Sequence, residues 1–347
     1  MLKVDGSMGE GGGSVLRFAV AFSLLFQEPV HIFNIRKNRA NPGLATQHLA
    51  GIKAIQELSG SIVEGAKLGS TELTIYPGHK WKTFASINIP TAGSIGLLTQ
   101  QLQIALCRSA VKRVSIEITG GATFGKWAPT EIYLRFITFR MLDRMGYRIN
   151  LEVHRHGFYP KGGAKVLLII EPPEKLRSIN LKEKGEVENL MIESLASTHL
   201  KKKMVAKRMV DGFNAVLKKS LSGLKPSMET RYVDATSPGC GIAACCTTTT
   251  GVMLGSDAIG ELKVSAEKVG EKAAELLLQE ICSEATLDRF ASDQLIPFMA
   301  LAGDSTFIVR EITSHSRTNM ELVSIFLGKR FEIKKLSNDE GYIIHVP

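Results

Sequence analysis

The segment Thr130–Pro172, TEIYLRFITFRMLDRMGYRINLEVHRHGFYPKGGAKVLLIIEP, carries the reading on which the fold turns. Glu131–Met145 sets apolar residues at helical spacing. A short extended stretch and a glycine-rich turn follow, then Ala164–Ile170, which reads as a strand, and the terminal Pro172. Two other segments repeat the pattern. In Gly43–Pro77 the helix is expected over Thr46–Leu58 and the closing strand over Glu72–Tyr76. In Thr318–Pro347 they are expected over Asn319–Leu327 and Gly341–Val346, around an Asn- and Gly-containing turn. Each segment is preceded by another helix candidate, at Ser14–Phe26, Ser94–Cys107 and Asp293–Ala302. One supersecondary unit is used three times.

The terminal prolines are 95 residues apart from Pro77 to Pro172 and 175 from Pro172 to Pro347, so the last interval carries an excess of 80. That excess marks an insertion between Leu181 and Glu284. The stretch has its own signals, Val187–Ser197, Val205–Lys218, Cys240–Met253 and Ala266–Glu280, enough for a small α+β domain. Residues 1–180 and 285–347 are then expected to form one large domain, and 181–284 the inserted one.

A chain of 347 residues with 44% hydrophobic and 22% charged residues has the balance of an ordinary globular protein. It contains no apolar run able to cross a bilayer, and Met1–Gly6 lacks the layout of a signal peptide, so a cytoplasmic location is the expectation. Forty-three Lys and Arg against 34 Asp and Glu leave a net +9, concentrated at Arg36-Lys37-Asn38-Arg39 and Lys201-Lys202-Lys203, which favours polyanionic partners. The five cysteines form no C-x-x-C pair; neither a zinc site nor a full disulfide framework is indicated, and they read as mostly buried thiols.

Gly9-Glu10-Gly11-Gly12-Gly13-Ser14 runs into the apolar, helix-like Val15–Leu25. Glycines there bring backbone N–H groups close to an anion where a helix N-terminus adds positive potential, and Glu10 and Arg17 lie within reach. The pattern points to a phosphate or metal-nucleotide site; a plain strand-to-helix turn is the alternative. Ser14 stands where a dinucleotide loop has its third glycine. Two further motifs are decoys. Lys3-Val4-Asp5-Gly6 fits the K-x-D-G of lysine-adenylating ligases, but reads equally as a first strand and its turn. Gly120–Lys126 satisfies G-x-x-x-x-G-K, yet Trp127 replaces the hydroxyl a P-loop needs for magnesium. Ala128-Pro129-Thr130 is expected to begin a helix with Pro129 in its first turn, leaving Trp127 and Pro129 to face a base or line a groove. Finally, Ser314-His315-Ser316-Arg317-Thr318-Asn319 sets a histidine between the strand-like Phe307–Ile312 and a helix. A neutral imidazole there can attack phosphorus; the alternative is a capping or hydrogen-bonded histidine.

Taken in order, Gly9–Arg17, Ile35–His48, Thr91–Ser94, His156–Gly163, Asp293-Gln294-Leu295, and His315 with Thr318-Asn319 resemble the RNA 3′-terminal phosphate cyclases. The resemblance runs from Leu2 to Pro347 and is weakest across the insertion. It implies an α/β (α+β) fold of three βαβαββ units, similar to the enolpyruvate transferases, with a small inserted α/β domain like the C-terminal domain of a translation initiation factor. It implies a reaction in which ATP and an RNA 3′-phosphate give a 2′,3′-cyclic phosphate, AMP and diphosphate through a histidine–AMP intermediate and an adenylated RNA end. By the same resemblance His315 is the nucleophile and Glu10 the ligand of a divalent metal, Mg2+ or Mn2+. Arg17, Arg36 and Arg39 contact phosphates, and Gln47, Gln100 and Gln294 lie near the nucleotide. Pro129 and Phe290 sandwich adenine, and Asp293 contacts the ribose or orients His315. The implied partner is RNA with a 3′-phosphate end, with no membrane. The family also has a non-catalytic, cyclase-like group that works in ribosome assembly and lacks the histidine; His315 argues against it. Two readings from different classes stand beside it, an RNA-binding module without turnover and a lysine-dependent ligase.

Overall fold

Val4 and the apolar stretch from Val15 onward are buried in one core with Leu2 half-buried against it, and this pairing of strand and helix sets the pattern for the rest. In the computed structural model, which describes residues 1–221, 223–337 and 340–347, β1 (Leu2–Asp5) is followed by α1 (Gly13–Phe26), β2 (Val30–Phe33), α2 (Thr46–Ser59), β3 (Ile62–Glu64) and β4 (Leu73–Tyr76). The sheet order is β1-β2-β4-β3, with β1 and β2 parallel and the others antiparallel. A parallel pair needs a crossover, and α1 supplies it.

The second unit repeats this order. It comprises β5 (Phe84–Ser94), α3 (Ile95–Leu106), β6 (Val114–Ala122), α4 (Glu131–Tyr133), α5 (Phe139–Arg144), β7 (Arg148–Arg155) and β8 (Lys165–Glu171), in a sheet of order β5-β6-β8-β7. The single helix expected over Glu131–Met145 is interrupted: Leu134–Thr138 is a π-helical turn between α4 and α5. Such turns are single-turn bulges within α-helices, and this one carries Arg135, bonded to Glu193, and Thr138, bonded to Gln294.

Within the stretch 181–284, β9 (Val187–Ser197), β10 (Ser227–Val233), β11 (Cys240–Thr248) and β12 (Met253–Ile259) build a separate four-stranded sheet of order β10-β9-β11-β12. A 3-10 helix, Thr198–Lys203, follows β9, and α6 (Val205–Ser220) packs with α7 (Ala266–Ile281) on the sheet. The expected strand over Cys240–Met253 is thus a hairpin of two strands turning at Thr249–Val252. Cys107, Cys245 and Cys246 are buried thiols, Cys240 is half-buried and Cys282 exposed; none is in a disulfide.

The third unit follows with α8 (Arg289–Ala302), β13 (Ser305–Val309), α9 (Ser314–Leu327), β14 (Glu332–Lys335) and β15 (Tyr342–Val346), in the order β13-β15-β14. The Asn-containing turn expected in this unit falls at Asn338 and Asp339, outside the described residues. Its first strand is a remnant. Asn180 bridges Thr306 in parallel, Leu181 N–H donates to the Thr306 carbonyl at 2.7 Å and Thr306 N–H to the Ile179 carbonyl at 3.0 Å. The sheet β10-β9-β11-β12 therefore lies, in sequence, between this short stretch and α8.

α1 packs on both α3 and α9, with the Phe22 and Phe326 rings edge to face at 5.2 Å; α3 also meets α8. The helices of the three units share one core, and the N-termini of α1 and α9 come to the surface together around Glu10.

Candidate active site

Gly9 has φ +57, and a Cβ there would lie 2.0 Å from Thr318 Oγ1, so only glycine lets the loop lie against α9. At Gly13 an added Cβ would meet His48 Nε2 at 2.4 Å and Arg17 Nη1 at 3.0 Å. The glycine loop thus touches α9 at one end and the Arg17–His48 pair at the other. α1 starts at Gly13 with no side-chain cap, which leaves its first N–H groups open for an anion.

Where the loop meets α9, Ser314 Oγ donates to Glu10 Oε1. His315 Nε2 and Arg39 Nη2 each stand 3.7 Å from Glu10 Oε2, and all three side chains are about half exposed. The Ser314 hydroxyl, with His315 and Arg39, holds the Glu10 carboxyl below the usual carboxylate range against the opposing effect of burial.

His315 owes its place to a cap. Thr313 Oγ1 accepts the Ser316 N–H at 2.9 Å, starting α9. Asp293 Oδ1 accepts from Thr313 Oγ1 at 2.5 Å and from Ser316 Oγ at 2.6 Å, and Asn319 Nδ2 donates to the Asp293 carbonyl at 2.6 Å. Asp293 therefore grips the residues on both sides of His315 rather than its ring. Burial pushes the Asp293 carboxyl up, and the Ser316 and Thr313 hydroxyls oppose that shift.

Arg17, Gln47, His48, Ser94 and Gln101 line a small cavity with Ile89, Leu97 and Leu98. The guanidinium is drawn out of solvent and pushed down to about 10 by burial, so it keeps its charge at neutral pH; its Nε has no partner among the described residues. His48 Nδ1 accepts the Ala45 N–H at 3.0 Å, which puts the proton of the neutral ring on Nε2. That atom is also buried and unpartnered among the described residues. Burial, with Arg17 and Arg36, pushes His48 down to about 3, so the ring stays neutral. Buried donors with nothing to donate to are costly, and an anion would satisfy both.

Several expected residues land elsewhere or in another role. Arg36 has φ +55 and donates to the Gly43 carbonyl at 2.8 Å. Gln100 is half-buried on α3, whereas its neighbour Gln101 lines the cavity. Gln294 is buried, accepts from Thr138 Oγ1 at 2.9 Å and donates to the Phe290 carbonyl at 3.2 Å, so both ends of its amide are used inside the protein. Pro129 lies before the helix rather than in its first turn, because Thr130 is the N-cap of α4. Its segment is nevertheless joined to that of Phe290. Tyr133 Oη donates at 2.5 Å to Asp288 Oδ1, which also accepts the Phe290 and Ala291 N–H groups and caps α8. Phe290 meets Tyr133 edge to face at 6.1 Å. Sequence reading missed His48, Ser314, Thr313, Ser316 and Asp288. The one available signal was their placement at helix starts.

A family model described as RNA 3′-terminal phosphate cyclase matches residues 8–333. The chain belongs to that family. It is 40% identical to the RNA 3′-terminal phosphate cyclase of Thermococcus onnurineus over 351 residues, covering 99% of this chain and 98% of that one. It is likewise 40% identical to the one from Caldivirga maquilingensis, covering 96% and 94%, and 38% identical to the one from Methanopyrus kandleri, covering 96% and 95%. The RNA 3′-terminal phosphate cyclase family acts on RNA, and its fold is the mixed α/β architecture described above. No helix among the described residues is long and apolar enough to cross a membrane.

The described residues contain no group of three or more His, Cys, Asp or Glu that would cage a metal. Glu10 stands as a single carboxylate beside the open N-terminus of α1 and Arg39. One carboxylate together with substrate phosphates is how Mg2+ is commonly held, so the residues fit a divalent cation that arrives with a polyphosphate.

Proposed function

We propose that this chain converts an RNA 3′-phosphate to a 2′,3′-cyclic phosphate at the expense of ATP, with His315 as the group that takes up AMP. The observation that carries the reading is the set of contacts at Glu10. An exposed imidazole and a hydroxyl from the first turn of α9 meet a carboxylate and an arginine on the glycine loop's side, beside a cavity whose buried donors lack partners among the described residues.

The N-terminus of α1 and the donors of Arg17 and His48 bind the polyphosphate, and Arg36 and Arg39 add charge at its edge. Pro129 and Phe290 bound the adenine, and Asp293, through Thr313 and Ser316, sets the direction of the His315 ring. The Nε2 lone pair attacks the α-phosphorus; a P–N bond forms, the bond to the bridging oxygen breaks and diphosphate leaves. An oxygen of the RNA 3′-phosphate then attacks the same phosphorus, breaking P–N and leaving an adenylated RNA end. The vicinal 2′-hydroxyl attacks the terminal RNA phosphorus, loses its proton and expels AMP. That last step is fast because both groups sit on one ribose. Glu10 would hold Mg2+ or Mn2+, which when bound would neutralise charge on the departing diphosphate.

Three RNA ends test the reading. A 3′-phosphate over a 2′-hydroxyl should yield the cyclic end, a 2′-deoxy end with a 3′-phosphate should stall as the adenylated species, and a 3′-hydroxyl should accept nothing. Transfer of AMP to a 3′-hydroxyl, or joining of strands, would contradict it.

A further inference from the structure

Among the most exposed large side chains of the molecule are two aromatic ones, Trp127 at 92% and Tyr159 at 79%. They stand on neighbouring loops. Phe124 and Phe158 are joined by a parallel β-bridge with their rings stacked at 5.3 Å, and both lie against β11 and the residue before it, where Gly241 and Gly239 leave room. Trp127 follows three residues after Phe124, and Tyr159 directly after Phe158. Trp127 is held outward at some cost: its φ is +55, the left-handed region that L-residues rarely adopt. Lys126 Nζ lies 5.6 Å over its ring and is itself paired with Glu261 at 3.3 Å. A braced, strained and solvent-facing tryptophan is a feature of surfaces that bind.

The strip has two ends. At one, Gly125 presses on Ser94, where an added Cβ would be 2.9 Å away, and Ser94 lines the Arg17 cavity. At the other, Lys161 N–H donates to Ser237 Oγ and Gly239 N–H to Ser197 Oγ. Ser197 opens the 3-10 helix that presents Lys201, Lys202 and Lys203, all exposed.

We propose that this strip receives the unpaired 3′-terminal segment of RNA. Trp127 and Tyr159 stack successive bases, and Lys201–Lys203 meet the backbone phosphates upstream. The proposal rests on the RNA-end reading above, whose cavity the strip adjoins. Aromatic platforms flanked by lysines suit single-stranded nucleic acid of any sequence, because every base has a π-face and every nucleotide a phosphate. A run of three adjacent exposed lysines favours a regularly spaced polyanion over a protein partner.

The chain has two tryptophans, so Trp81→Phe leaves Trp127 as its only indole reporter; the difference between wild type and Trp127→Ala gives the same readout without that substitution. Titration with a 3′-phosphorylated single-stranded oligoribonucleotide should quench Trp127 along the binding curve, and a blunt duplex of the same sequence should not. Trp127→Ala and Tyr159→Ala should each weaken RNA binding roughly tenfold, while Trp127→Phe keeps most of it. Replacing Lys201–Lys203 by Ser should reduce the slope of log affinity against log salt by about 0.7 for each phosphate no longer neutralised. AMP attachment from ATP alone should be unchanged in all of these variants. Unchanged RNA affinity in both alanine variants overturns the proposal. So does quenching by ATP alone with slowed AMP attachment, which would assign Trp127 to the nucleotide. If the wild type takes up no AMP while the RNA titration behaves as described, the reaction is wrong and the strip stands.

Discussion

His315 Nε2 lies 3.7 Å from Glu10 Oε2, although the two residues stand near opposite ends of the chain. Their meeting depends on α1 and α9 packing side by side and on Gly9 lying flat against Thr318. Glu10→Ala should slow AMP attachment by roughly 100-fold or more and weaken RNA binding far less, since removing one group that stabilises developing charge has that effect. Burst kinetics with radiolabelled ATP at limiting magnesium measure it, and full activity there would remove Glu10 from the step.

Asp293 acts through its neighbours. Both of its side-chain hydrogen bonds end on Oδ1, which asparagine retains. Asp293→Asn should therefore keep most of the rate of AMP attachment, whereas Asp293→Ala, which frees Thr313 and Ser316, should lose about 100-fold through misplacement of the ring. An asparagine variant as slow as the alanine variant would mean that the charge itself is required.

The repeated unit was legible because its helices have an apolar face at regular spacing: Thr46–Ser59 and Gly13–Phe26 fall within a residue of their expected ends. What was hidden has physical reasons. The first strand of the third unit is only Ile179–Leu181, too short to show alternation, and it is recognised through its hydrogen bonds to Thr306. The π turn at Leu134–Thr138 carries side chains whose partners are distant in sequence, Arg135 with Glu193 and Thr138 with Gln294. At the site, His315, Glu10 and the glycines announced themselves by type and position. Ser314, Ser316 and His48 did not, since a hydroxyl or a neutral imidazole gains its role only from what folding brings against it.

A buried carboxyl remote from the glycine loop gives a pH-dependent prediction. Glu280 is 2% exposed, its side-chain oxygens lack hydrogen-bond partners among the described residues, and Arg310 Nε stands 3.7 Å away. Burial and then Asp288 push it up to about 7 from an ordinary 4.5. The folded state thus holds this proton more tightly than the unfolded one. Its contribution is fully present below about pH 4.5 and is lost as pH rises through 7. Glu280→Gln should leave stability at pH 4 nearly unchanged and raise it at pH 8 by about 3 kcal/mol relative to wild type. Denaturant titrations at both pH values check this; equal differences would place the proton elsewhere.

Asp257 offers a test of what the sheet β10-β9-β11-β12 contributes. From β12 its Oδ2 accepts the Thr130 N–H at 2.7 Å, next to Pro129. Asp257→Ala should raise the KM for ATP several-fold while leaving kcat within about twofold, because it loosens the segment of Pro129, proposed to bound the adenine, without touching the proposed reacting atoms. A loss confined to kcat would contradict that role.

The central claim is that AMP becomes attached to His315. Incubating the protein with α-labelled ATP and a divalent cation, then mapping the label by peptide mass spectrometry, tests it directly. The account predicts an acid-labile phosphoramidate on the peptide containing His315, absent from a His315→Ala variant that remains folded. Label retained in that variant, or found on Lys3, would contradict it.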